Sequence, residues 1–185
     1  MSNIDTGKYS GVVAAMGNIF GNESGSSILG KELKVIPTPN DKLTDDLNRL
    51  IANYNYTQSI RLENNERGVT IHILDDILFP PGRANLNESS QLVLKRIADI
   101  IRYLPNDIRI EGHTDNVPIN TGQYPSNWHL SVDRALNTAY YLIREQGLSA
   151  DKVSIVGYSE YRPITTNDTP LTRSLNRRVD IVILK

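Results

Sequence analysis

IRIEGHTDNVPINTGQYPSNWHLSVDR, residues 108–134, holds a strand, a proline-broken loop and a helix start in one run. Ile108 and Ile110 alternate with polar neighbours, as on a half-buried strand. The strand ends in Gly112-His113-Thr114-Asp115, and Pro118 and Pro125 keep the residues after it irregular. A helix then opens near Ser126 and reaches Arg134 about two turns in. Asp115 therefore stands at the mouth of a strand and Arg134 on an adjacent helix. A carboxylate holds an ammonium, and a guanidinium holds a carboxylate through two parallel hydrogen bonds. Opposite ions on neighbouring elements suit one small zwitterion, bound and left chemically unchanged.

Along the helix, Asn127, Leu130, Ser131 and Arg134 fall at i, i+3, i+4 and i+7 and share a face. Val132, Ala135, Leu136, Ala139 and Ile143 form a second stripe, which the spacing assigns to the core. Arg134 is then offset from the core, with Asn127 beside it. The free N–H groups of the first turn add donors for an anion. The plainer alternative makes Arg134 half of an ordinary salt bridge and Asp115 a turn cap.

Upstream, a helix starting near Leu43, with Thr44 or Asp45 as cap, carries Leu47, Leu50, Ile51 and Tyr54. Two strands follow, 59–63 and 69–74, and the polar, glycine-ended link between them is hairpin chemistry. Val69, Ile71 and Ile73 line one face of the second strand. After Phe79-Pro80-Pro81-Gly82, Asn87 caps a helix with the apolar stripe Val93, Ile97, Ile100, Ile101 and Leu104, which Pro105 ends. Downstream, the helix from Ser126 runs to about Gln146, with Gly147 as its stop. Strands over 153–156 and 179–184 flank an irregular stretch containing Pro163 and Pro170. This pattern predicts an α/β fold, a mixed sheet with helices on one face, because strand–helix–strand crossovers are right-handed almost without exception.

Residues 1–40 differ in character, with scattered glycines, a serine cluster at Ser24, Ser26 and Ser27, and an extended end at Val35-Ile36-Pro37-Thr38-Pro39-Asn40. Val12, Ala15, Met16, Ile19 and Phe20 give one short apolar face at helical spacing. Isolated helices of that length are marginal in water, so the segment needs a partner, a membrane surface or the rest of the chain; otherwise it is a tail with accidental periodicity. The division expected is an amphipathic segment and linker over 1–40 and a folded domain over 41–185.

The 185 residues suit one domain plus such an appendage. A formal charge of −1 gives no electrostatic case for nucleic acid. The chain has no cysteine, which removes disulfides, thiolate zinc sites and cysteine nucleophiles. No run approaches the ~20 apolar residues of a membrane span, and the start lacks the basic and apolar regions of a secretory signal. His72 reads as a sheet-face residue, and His113 as holding its loop through a backbone hydrogen bond. His113 and Asp115 form an H-x-D pair with no third metal ligand at supporting spacing. Arg173, Arg177 and Arg178 sit beside an apolar strand and are read as structural. Glu111 and Asp115 lie on one local stretch, so no carboxylate pair is poised across a cleft for hydrolysis.

Four motifs occur in order over about residues 67–185: Glu111-Gly112-His113-Thr114-Asp115, Asn127-x-x-Leu130-Ser131-x-x-Arg134-Ala135, Gly157-Tyr158-x-Glu160-x-x-Pro163 and Asn176-Arg177-Arg178-Val179. Together they resemble the OmpA-like peptidoglycan-binding domain. The long loop from Asn116 to Trp128, and Ser2-Asn3-Ile4-Asp5-Thr6-Gly7-Lys8-Tyr9, are similar to the wall-anchoring, MotB-type subunits of flagellar stators. The resemblance implies an α+β sandwich with a β-α-β-α-β-β core plus an N-terminal helix and hairpin strand. It implies a noncatalytic module without cofactor or metal. Asp115 would hold the ammonium and Arg134 the carboxylate of the diaminopimelate end of a peptidoglycan stem peptide. Thr114, Asn127 and Leu130 would shape the pocket, and Arg178 would lie nearby as a second cation or as a strut for Asp115. Ser159 departs from the glycine common at its position. Further implications are an extracytoplasmic fragment whose membrane anchor precedes Met1, a plug-like role for 12–20, a homodimer, and a MotA-like stator partner reached through that anchor.

Overall fold

β5 (Arg178–Leu184) runs through the middle of a five-stranded sheet, and its alternation explains the rest of the fold. Val179, Ile181 and Ile183 are buried on one side of it. They stand in register with Ile73, Ile71 and Val69 of β2 (Gly68–Leu74), and Ile181 also stands opposite Ile110 of β3 (Ile108–His113). Successive strand residues point to opposite faces, so one face is a continuous aliphatic layer. The other face carries His72, Asp180 and Glu111 side by side. The computed structural model describes residues 39–185.

The sheet order is β1-β2-β5-β3-β4. β1 (Ile60–Asn65) and β2 form the expected antiparallel hairpin through Glu66 and Arg67. Gly68 closes it with φ +132, where a Cβ would stand 2.0 Å from the Ile183 carbonyl oxygen. β5 is antiparallel to both β2 and β3, and β3 pairs in parallel with β4 (Val153–Gly157).

Three helices cover the aliphatic face. α1 (Pro39–Asn53) contributes Leu43, Leu47, Leu50 and Ile51. After α2 (Asp75–Leu78), α3 (Glu88–Ile101) contributes Val93, Leu94, Ile97 and Ile101, and the Asn87 side chain accepts from Ser90 N at 2.7 Å, capping it as its sequence predicts. α4 (Asn127–Arg144) contributes Ala135, Ala139 and Leu142. Burying one large aliphatic side chain is worth about 1.5–3 kcal/mol, so this layer supplies the main drive for folding.

Several expectations are corrected. α1 begins at Pro39 and not near Leu43, because proline at a first helical position costs no hydrogen bond. α5 (Pro170–Asn176) occupies a stretch expected to be irregular, and α2 one for which no element was expected. α5 starts with a reciprocal capping box between Thr169 and Thr172 and a proline in its first turn, a local signal its short length obscured. In α4 the buried face runs through Leu130, Ser131, Arg134, Ala135, Thr138, Ala139 and Leu142, whereas Val132 is exposed. Arg134 lies within the buried face and is not offset from it. The amphipathic 12–20 segment lies outside the described residues. Among those residues no helix is long and apolar enough to cross a membrane.

Candidate functional site

A cleft of about 650 Å³ opens where β2 and β3 end and β5 begins. Its walls come from five places: α2 just after β2, the Phe79–Gly82 loop that follows it, the loop after β3, the first turns of α4, and α5 with Arg177 after it. Beside it α4 packs closely on β3. A Cβ on Gly112 would stand 1.9 Å from the Ser131 carbonyl oxygen, so only glycine admits the helix there.

Thr114, Asp115, Asn127, Leu130 and Arg134 all line this cleft. Asp115 Oδ1 accepts from Val117 N at 3.0 Å, and Oδ2 accepts from Arg177 Nη1 at 2.7 Å. Asn127 holds the loop: its amide donates to the carbonyls of Asp115 and Val117 and to Glu160 Oε2, and its oxygen accepts from Ile119 N. Thr114 N donates to Ser159 O, tying the end of β3 to the loop after β4. Ser159 has φ +54, the left-handed region that favours glycine.

Arg134 is 2% exposed. Its Nε donates to Arg83 O at 3.0 Å, and its Cζ lies 5.1 Å from the Phe79 ring centroid. Nη1 lies 3.0 Å from Asp75 Oδ2, close enough for an ion pair but without hydrogen-bond geometry, so this buried nitrogen has no hydrogen-bond partner among the described residues. Burial pushes the Asp75 carboxyl up from its ordinary value, with Arg134 and Arg177 pulling it back. Burial also pulls the Arg134 guanidinium down, with Asp75 opposing. Both partners are held at a desolvation cost.

Asp75 and Arg177 are the charges the sequence reading missed. Arg177 contacts both acids, Asp115 and, through Nε at 3.4 Å, Asp75. The cleft wall thus holds an alternating row, Asp115–Arg177–Asp75–Arg134, with no net charge. Each ion of the expected zwitterion clasp already has an internal partner.

Arg178 does not join this group. It heads β5 on the face opposite Val179, where its Nε donates to both Asp180 oxygens at 3.1 Å and its Nη atoms to the carbonyls of Asn176 and Arg162. The cation beside Asp115 is its neighbour Arg177. Strand parity, read from the buried Val179, is the signal that separates the two.

The Arg178 side of the sheet holds His72 on the sheet face, as its sequence predicts, and corrects the reading of His113. His72 bridges Asp180 (Nδ1, 2.8 Å) and Glu63 (Nε2, 3.2 Å). The His113 ring makes no backbone hydrogen bond among the described residues; it stacks on Tyr158 with centroids 5.3 Å apart, and Nε2 lies 3.2 Å from Asp180 Oδ2. Glu111, His113 and Asp180 do converge, the third partner arriving from β5 and not from local spacing. Arg67 pairs with Glu111, and Arg178 with Asp180, so guanidinium groups already compensate both carboxylates.

A five-stranded mixed sheet, with helices on one face and an ion-bearing cleft at its end, defines a domain of the mixed α/β class. The chain belongs to the OmpA family, whose model matches residues 78–177. It is 35% identical over 145 residues to motility protein B of Bacillus subtilis, covering 78% of this chain and 56% of that protein. Among solved structures it matches the cell wall anchor of the T6SS from Pseudomonas aeruginosa at TM-score 0.68 and 35% identity, covering 75% of this chain and 97% of that one. It matches the periplasmic domain of Helicobacter pylori MotB at TM-score 0.64 and 28% identity, covering 69% and 82%. The chain spans 60% or less of the length of the Bacillus relatives it matches.

Proposed function

We propose that this chain binds peptidoglycan without transforming it, taking the diaminopimelate end of a stem peptide into the cleft. One observation carries the reading: Arg134, buried in the cleft wall, has a guanidinium nitrogen with no hydrogen bond. A ligand carboxylate that takes the place of Asp75 on Arg134 would supply the hydrogen bond that nitrogen lacks. Asp115 has spent two acceptor positions out of about four on a carboxylate, which leaves room for an ammonium. Thr114, Asn127 and Leu130 fix the width of the space between. The relatives named for motility and for wall anchoring support the same reading.

Single contacts of this kind are weak. A hydrogen bond to a charged group nets about 1.5–3 kcal/mol, against about 4 kcal/mol or more of lost freedom on association. A homodimer on a polymeric wall gains through effective concentration, giving a firm but exchangeable anchor. The chain then acts outside the cytoplasmic membrane as the wall anchor of a flagellar stator, beside a MotA-like subunit. The likeness to a T6SS wall anchor favours a second reading, an anchor for another envelope machine.

Titration with a diaminopimelate-containing muropeptide, and co-sedimentation with sacculi, test the cleft. Asp115→Asn, with an unchanged circular dichroism spectrum, is expected to lose at least about tenfold in affinity, about 1.4 kcal/mol. Unchanged binding overturns the assignment, and released muropeptides would make the chain an enzyme. Loss of swimming on gene deletion supports the stator; unchanged swimming moves the anchor to another machine.

A further inference from the structure

Beside the cleft, two large aromatic side chains face solvent together. Trp128 is 48% exposed and Tyr161 65% exposed, and their rings stack with centroids 5.5 Å apart at 28°. Each immediately follows a residue of one hydrogen bond: Asn127 donates to Glu160 Oε2 at 2.8 Å. That part-buried bond clamps the start of α4 to the loop after β4, next to both aromatic residues. Asn127 itself lines the cleft, so this one residue ties the aromatic pair to the cleft wall.

Next to Trp128 a shallow groove of about 350 Å³ is lined by Gln123, Tyr124, Trp128, His129, Val132 and Asp133. Val132 is exposed on the helical turn after Trp128 and extends the apolar floor. An aromatic face is electron-rich and attracts the axial C–H bonds of a pyranose, while amide, imidazole and carboxylate groups at a rim meet hydroxyl and acetamido groups. The groove is lined by only one carboxylate and no lysine or arginine, which fits a neutral ligand better than a phosphate or a nucleic acid.

We propose that Trp128 and Tyr161 form a subsite for a β-1,4-linked N-acetylhexosamine strand, the neutral backbone of the polymer whose peptide enters the cleft. This deepens the peptidoglycan reading and rests on it for the identity of the polymer. Recognition would then span sugar and peptide at once, which adds contacts without strengthening either alone.

Trp128 is the chain's one tryptophan, so its fluorescence reports this surface directly. The full chain is titrated with the neutral tetramer of β-1,4-linked N-acetylglucosamine and with amidase-stripped glycan strands, whose freed lactyl carboxylates make them anionic and the weaker ligand of the two. A saturable change in Trp128 emission is expected, together with about tenfold weaker binding in Tyr161→Ala, the cost of truncating an aromatic anchor. By calorimetry Trp128→Phe keeps the tetramer and Trp128→Ala loses it. Asp115→Asn leaves tetramer binding unchanged, so a failed peptide cleft and a failed sugar platform give different results. No emission change with either probe, or equal binding by Tyr161→Ala, overturns the proposal and leaves the aromatic pair to a protein partner.

Discussion

Arg134 Nη1 lies 3.0 Å from Asp75 Oδ2, and both side chains are at least nine-tenths removed from solvent. The pair joins α4 to the turn after β2, elements 59 positions apart in the chain (134 minus 75). Burial moves each partner against its charged form, so the pair persists because each ion would fare worse alone. Asp75→Asn leaves the Arg134 charge buried with a weaker partner. The expected loss is about 3–5 kcal/mol of stability by urea unfolding. The double variant Asp75→Asn/Arg134→Met recovers most of it, because the orphaned charge is gone. Additive losses would show that the two residues do not act as a unit.

Gly112→Ala forces a methyl group against the Ser131 carbonyl, 1.9 Å from where the Cβ must lie. Backbone cannot rotate away as a side chain does, so α4 must shift. A loss of about 1–3 kcal/mol is expected for such overpacking, with muropeptide affinity falling as Arg134 moves. Stability within about 0.5 kcal/mol of the parent, the range of neutral surface changes, would contradict the close packing.

The two sheet histidines predict a stability optimum near pH 6.5, their shared ordinary value. For His72, burial lowers the pKa, but the Asp180 and Glu63 carboxylates outweigh it and the net shift is upward. Its contribution is present below 6.5 and is lost as pH rises through the raised value. For His113, burial dominates and the shift is downward, so stability falls as pH drops below 6.5 toward the lowered value. Urea midpoints between about pH 5 and 8 should peak. His72→Gln should flatten the alkaline limb and His113→Gln the acid limb. A variant that alters the wrong limb refutes the assignment.

Asn127→Ala removes the donor that holds Asp115 O, Val117 O and Glu160 Oε2. Orphaned polar groups of this kind cost about 1–3 kcal/mol. The loop from Asp115 to Ser126 should lose protection in hydrogen exchange while β2 and β5 keep theirs. Uniform protection across the loop would show that the asparagine is not its main tether.

Much of the sheet is legible in residue order. Val69, Ile71 and Ile73 announce a buried strand face, Asn87 announces the start of α3, and the Gly-ended polar link announces the hairpin; in each case the cause lies within a few residues of its effect. α5 also carried its signal, a capping box with proline, and only its seven residues kept it below notice. The face of α4 was harder. Val132 and Arg134 are two positions apart, and apolarity alone favours burying the valine. The structure buries the arginine because Asp75, Phe79 and the Arg83 carbonyl surround it with partners supplied from outside the helix.

By itself, the order of residues determined the strands, the main helices and five of the cleft's lining side chains, Thr114, Asp115, Asn127, Leu130 and Arg134. Pairing was decided elsewhere. Arg177, and not Arg178, reaches Asp115 because an extended chain turns neighbours to opposite faces, and which face looks into the cleft depends on how β5 sits between β2 and β3. Asp75 becomes the counter-ion of Arg134 only when α4 closes over Gly112. Charge–charge energy falls off with distance through space, and only folding brings those carboxylates and guanidinium groups within range of one another.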